Sequence, residues 1–74
     1  MELMNRLTED EIRLLEEAGI EIKQKNYTTD DTGDIIEELD DAIRANLDEN
    51  DNFTEKALAY ERIQDKILEF ENEL

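Results

Sequence analysis

The chain has 74 residues, enough for one small domain, and 23 acidic side chains against 8 basic ones give it a net charge of −15. This excess argues against direct binding to nucleic-acid phosphates or to an anionic membrane surface, because both require clusters of Lys or Arg. The sequence contains no Cys and no His, so we expect no disulfide, no metal site and no cofactor.

The composition favours helix. There is no Pro and there are only two Gly, so helices are expected wherever apolar residues recur at helical spacing. The sequence predicts an all-α fold, a small three-helix bundle in which residues 1–74 form a single acidic domain. No apolar run is long enough for a membrane span, and the first eight residues lack the features of a signal peptide. We therefore expect a cytoplasmic location.

The first helix is predicted at about residues 9–18. Thr8 and Glu11 fit a capping box, in which each side chain accepts a hydrogen bond from the other residue's backbone N–H. Gly19 fits the left-handed position just beyond the helix, where Ile20 can pack back on Leu15. The following segment, 20–27, is predicted to be an extended linker, because its alternating start has no second strand to pair with. Its apolar side chains are expected to tuck against the bundle: Ile20, Ile22 and Tyr27.

The second helix is predicted at about 29–47, starting near Thr28 or Thr29 with acidic residues in its first turn. Gly33 lies near the start and weakens the helix by roughly 1 kcal/mol relative to Ala. The polar run 48–52 is expected to be a loop. The apolar stripe consists of Ile35, Ile36, Leu39, Ile43 and Leu47.

The third helix is predicted at about 54–72, with Phe53 and Leu58 placed as a hydrophobic staple. Its apolar positions alternate three and four residues apart and form one narrow seam. The seam either packs on the other two helices, which favours a monomer, or joins two copies of the chain as a homodimer. The seam consists of Tyr60, Ile63, Ile67, Phe70 and Leu74.

The sequence lacks the residue patterns that calcium binding and catalysis require. A calcium loop beginning at Asp48 has Phe53 at its sixth position and Ala59 at its twelfth, where Gly and a bidentate Glu are needed. Anchoring the loop on Gly33 instead puts Leu39 twelfth. Carboxylate pairs one turn apart could serve hydrolysis only inside a partly dry pocket, for which a bundle this small offers little volume. We therefore expect no enzymatic activity, and cation binding remains a minor alternative.

The strongest feature is a run of seven carboxylates without a base between residues 30 and 41. The excess negative charge either serves solubility alone or attracts a basic protein partner. Most of the run projects from the side opposite the apolar stripe, as a ridge. The predicted partner-binding residues are Asp30, Asp34, Glu37, Glu38 and Asp41.

The first half of the chain consists of a capped segment, 7–12, a segment that ends in Gly19 and Ile20, 14–20, and then an acid-rich helix. This arrangement resembles small acidic helical proteins of low-GC Gram-positive bacteria and their prophages. The resemblance covers about the first half of the chain. It implies a cytoplasmic setting, and it brings no activity and no site residues.

Overall fold

A 3-10 turn and three α-helices follow one another along the chain in the computed structural model, which describes residues 2–74. The turn spans Leu3–Arg6, and the helices are α1, Glu9–Glu17, α2, Thr29–Ala45, and α3, Glu55–Asn72. The described residues contain no strand, only two isolated bridges. The predicted all-α three-helix fold is thus confirmed.

Each helix begins directly after a threonine whose hydroxyl accepts a backbone N–H from the first turn: Thr8, Thr28 and Thr54. The predicted capping box of α1 is present, with the Glu11 carboxylate accepting the Thr8 N–H at 2.9 Å. A second box opens α2, where Asp31 accepts the Thr28 N–H at 3.1 Å. A hydroxyl cap of this kind stabilises a helix by about 1 kcal/mol.

The end of α1 follows the sequence prediction. Gly19 has a φ of +79°, and its N–H donates to the Glu16 carbonyl at 3.0 Å. The next N–H, from Ile20, donates to the Leu15 carbonyl at 2.9 Å. Leu15 and Ile20 are both buried in the core, so the cap also turns the chain inward.

The end of α2 differs from the prediction by two residues. The helix stops at Ala45 because the Asn46 side chain donates to the Ala42 carbonyl at 2.7 Å and the chain then turns away. Leu47 leaves the stripe and forms an antiparallel bridge with Phe53. A buried residue missed by the apolar pattern, Thr32, extends the stripe instead.

The core is formed mainly between α2 and α3, with α1 and the 3-10 turn packed on α3. The α3 seam is buried within this chain except at Leu74, which lies beyond the end of the helix and is 46% exposed. The three linker side chains are buried as predicted. The staple residues Phe53 and Leu58 remain 46% and 41% exposed, outside the core.

The 3-10 turn fastens the start of the chain to the end of α3. Leu3 is fully buried and Leu7 nearly so. The Arg6 guanidinium donates to both carboxylate oxygens of Glu73 at 2.6 Å and lies over the Phe70 ring. These hydrogen bonds and the paired charges lower the pKa of Glu73 and raise the pKa of Arg6.

Candidate interaction face on the second helix

All five predicted partner-binding residues are exposed on one side of α2. We call this set the acidic face: Asp30, Asp34, Glu37, Glu38 and Asp41. Their exposure follows from helical geometry, because successive side chains are about 100° apart and these five lie opposite the buried stripe. That stripe consists of Thr32, Ile35, Leu39 and Ile43.

The remaining two carboxylates of the run have structural roles. Asp31 closes the capping box and pairs with Lys25, whose Nζ lies 3.3 Å from its carboxylate. The Thr28 backbone N–H and, to a smaller extent, the Thr28 hydroxyl and Lys25 lower the pKa of Asp31 despite some opposing desolvation. Asp40 accepts from the Gln64 amide of α3 at 2.8 Å. The acid run therefore divides into residues that build the bundle and residues that face solvent.

Counter-charges are scarce on the acidic face. Among the described residues, the ion pair found there joins Asp41 to Arg44 at 3.9 Å, with side chains 81% and 75% exposed. Such an exposed pair contributes at most about 1 kcal/mol. Like charges four residues apart, such as Asp30 and Asp34 or Asp34 and Glu38, destabilise a helix by a few tenths of a kcal/mol per pair. The acidic face therefore lowers the stability of α2.

The basic residues of α3 lie on its other side, toward α1. Lys66 contacts Glu11 at 2.8 Å, and Lys56 lies 4.0 Å from Glu17. Partial burial opposes ionisation of Glu11, but hydrogen bonds from Lys66 and Thr8 prevail and lower its pKa. Arg62 lines a groove between the same two helices.

That groove is an apolar depression next to acidic groups. It has a volume of about 220 Å³, is open to solvent, and is lined by Asp10, Glu11, Leu14, Ala59, Arg62 and Ile63. A general acid needs a raised pKa, whereas the pKa of Glu11 is lowered. The carboxylate pairs of α2 do not line this groove, so it does not supply the dry environment that they would need.

The acidic loop after α2 is ordered by its own side chains. The Asp48 carboxylate accepts the backbone N–H groups of Asn50 and Asn52 at 2.8 and 2.9 Å, and Asp51 adopts a φ of 61°. These hydrogen bonds engage the carboxylate of Asp48, the residue at which a calcium loop would begin. Nowhere in residues 2–74 do three or more acidic side chains gather as metal ligands.

The sequence pattern did not predict the structural roles of two carboxylates in the acid run, Asp31 and Asp40. The Thr28–Asp31 spacing could have identified the first, because a capping box needs an acceptor three residues after the cap. The second depends on Gln64, which is distant in sequence and offers no local signal.

Among the described residues, no helix combines the length and the apolar character needed to cross a membrane. Comparisons of the chain with protein-family models, curated proteins and solved structures found no match.

Proposed function

We propose that this chain is a small interaction or regulatory protein, acting in the cytoplasm and not as an enzyme, that binds a basic protein partner through the acidic face. The observation that carries the proposal is the division of the acid run. Two of the seven carboxylates are engaged by the Thr28 cap, Lys25 and Gln64. The five others face solvent with one weak counter-charge among the described residues.

The charge density of the acidic face fits a partner that also binds nucleic acid. The five carboxylates of the acidic face lie within 12 residues, which at about 1.5 Å rise per residue corresponds to one charge per ~3.6 Å of helix axis. A DNA strand carries one per ~3.4 Å. A cationic groove shaped for phosphates would thus meet a similar density of charge on α2, which would steer the encounter and select against acidic partners.

Self-association through the α3 seam is the alternative. It would require uncovering Tyr60, Ile63, Ile67 and Phe70, each at most 1% exposed. A dimer formed this way would lose much of the core of both chains, and it would bring together two chains of net charge −15. These two costs make the acidic face the better-supported surface.

The test compares two sets of four neutralised acids. A partner captured from the native host is identified, purified and titrated calorimetrically against each variant at 0.15 M salt. Replacing Asp34, Glu37, Glu38 and Asp41 with Asn or Gln should weaken binding by roughly 100-fold, equivalent to about 0.7 kcal/mol per charge. The same variant should melt at a higher temperature than the parent, because like-charge repulsion within α2 is removed.

The matched control neutralises four exposed acids elsewhere, none of them hydrogen-bonded or ion-paired through its side chain to another described residue: Glu16, Glu21, Glu49 and Glu69. Glu17 and Glu71 are unsuitable, since Glu17 lies near Lys56 and Glu71 hydrogen-bonds Thr32 at 3.0 Å. Control binding should fall by less than about tenfold. Equal losses in both sets would mean that only bulk charge matters and would refute the proposal.

A further inference from the structure

The register of α2 against α3 implies a small apolar notch between the two helices, beside the acidic face. Two contacts fix the register of these antiparallel helices: Gln64 donates to the Ile36 carbonyl at 3.1 Å, and Thr32 donates to Glu71 at 3.0 Å. Leu68 lies between Gln64 and Glu71 on the same edge of α3. It therefore stands level with Gly33 on α2.

Neither the backbone conformation nor the packing of the described residues requires a glycine at Gly33. It has no positive φ, and a Cβ placed on it would meet no heavy atom within 4 Å among the described residues. Glycine inside a helix is less favourable than Ala, because its backbone loses more conformational freedom. A glycine on an open helix surface also lets another molecule approach the backbone closely.

The notch is apolar and surrounded by acids. Leu68 is 43% exposed, and Ile36 is half-buried against the core. Helical spacing puts Glu37 one turn from Gly33 and Asp65 one turn from Leu68. The two α3 lysines point the other way, toward α1. An apolar spot rimmed by carboxylates is complementary to an apolar side chain flanked by cationic ones.

We propose that this notch, formed by Gly33, Ile36 and Leu68, receives an apolar side chain of a basic amphipathic helix that lies along α2. The inference rests on the proposed function and specifies the partner's class. Lys and Arg side chains of the partner pair with the acidic face, while its apolar anchor covers Leu68 and lies close to the Gly33 backbone. Amphipathic helices commonly bind protein surfaces in this way, through one row of apolar side chains.

The test uses two synthetic helical peptides of equal charge, titrated by fluorescence anisotropy at 0.15 M salt. One peptide carries Lys with a Leu row at helical spacing, and the other has Gln in place of every Leu. The Leu peptide should bind about tenfold more tightly to the wild-type chain. Leu68→Ala should weaken its binding about fivefold. The matched control Leu58→Ala, at 41% exposure, should leave it unchanged.

Gly33→Ala supplies the sharpest variant. It should raise the melting temperature of the free chain, because helix propensity improves, yet weaken binding of the Leu peptide. If Leu68→Ala and Gly33→Ala bind that peptide like the wild type while neutralising the acidic face abolishes binding, the notch is refuted and the proposed function stands. If the neutralised face and its matched control bind equally well, the proposed function fails first.

Discussion

The two sides of the α2–α3 pair use charge in opposite ways. Toward α1, the basic side chains of α3 meet acids, with Lys66 at 2.8 Å from Glu11 and Lys56 at 4.0 Å from Glu17. On the outer side of α2, five acids stand together with one base, Arg44, which lies 3.9 Å from Asp41. A net charge of −15 therefore describes the molecule poorly. The positions of its few bases, together with the hydrogen bonds from Thr28 and Gln64, decide which acids are engaged and which remain open to solvent.

Helix α2 tolerates the repulsion between its acids because other contacts hold it in place. The helix is anchored at its start by the Thr28–Asp31 capping box and along its length by Gln64, which donates to both Ile36 and Asp40. These contacts offset the few tenths of a kcal/mol lost per like-charged pair. A helix that served only solubility could have avoided this cost by spreading its acids over the surface.

The largest expected effect comes from breaking the inner side of α3. Ile67→Asp buries an unpaired carboxylate at a fully covered position and should cost more than about 3 kcal/mol, enough to unfold a domain of this size. Leu68→Asp, one residue away and 43% exposed, should leave the fold intact. Circular dichroism with light scattering measures both. A folded, monomeric Ile67→Asp chain would contradict the intramolecular packing of the seam.

A smaller effect is expected where α1 turns into the linker. Gly19→Ala places a Cβ at a φ of +79° and should destabilise the fold by about 1 kcal/mol, although nothing crowds the site. Gly33→Ala is expected to shift the melting temperature in the opposite direction. The pair thus separates a glycine that the fold needs from one that it does not. An increase in melting temperature for Gly19→Ala would contradict the cap.

The smallest effect concerns pH and the pair between Arg6 and Glu73. Arg6 holds the pKa of Glu73 below its ordinary value of 4.5, so the folded chain keeps this carboxylate charged where the unfolded chain begins to protonate. The pair's contribution to the free energy of unfolding is therefore complete above the pKa of the unfolded chain. It is lost as the pH falls through the lower pKa of the folded chain. Thermal melts should show wild type above Glu73→Gln at pH 6, with the gap in melting temperature closing as the pH falls below 4.5. The exposed control Glu21→Gln should show no such closing gap.

The sequence predicted those parts of the fold that depend on neighbouring residues. Capping at Thr8, the left-handed Gly19 and the buried seam of α3 all follow from spacings of a few residues, where local geometry leaves few alternatives. The exposure of the acidic face followed from the helical period alone. The 3-10 turn and its Arg6–Glu73 pair could not be predicted, because they join residues 67 positions apart. The notch could not be predicted either, because it depends on how α2 and α3 align with each other.

The Arg6–Glu73 contact also bears on the order in which the molecule assembles. The helices α2 and α3 are joined by a short loop and can pair quickly, whereas closing a chain of 67 residues carries a larger entropic cost. The N-terminal turn should therefore dock after the helical hairpin has formed. Contacts made after the folding barrier leave the rate of folding almost unchanged and slow the reverse reaction instead. Arg6 and Leu3 would then act chiefly on the lifetime of the native state.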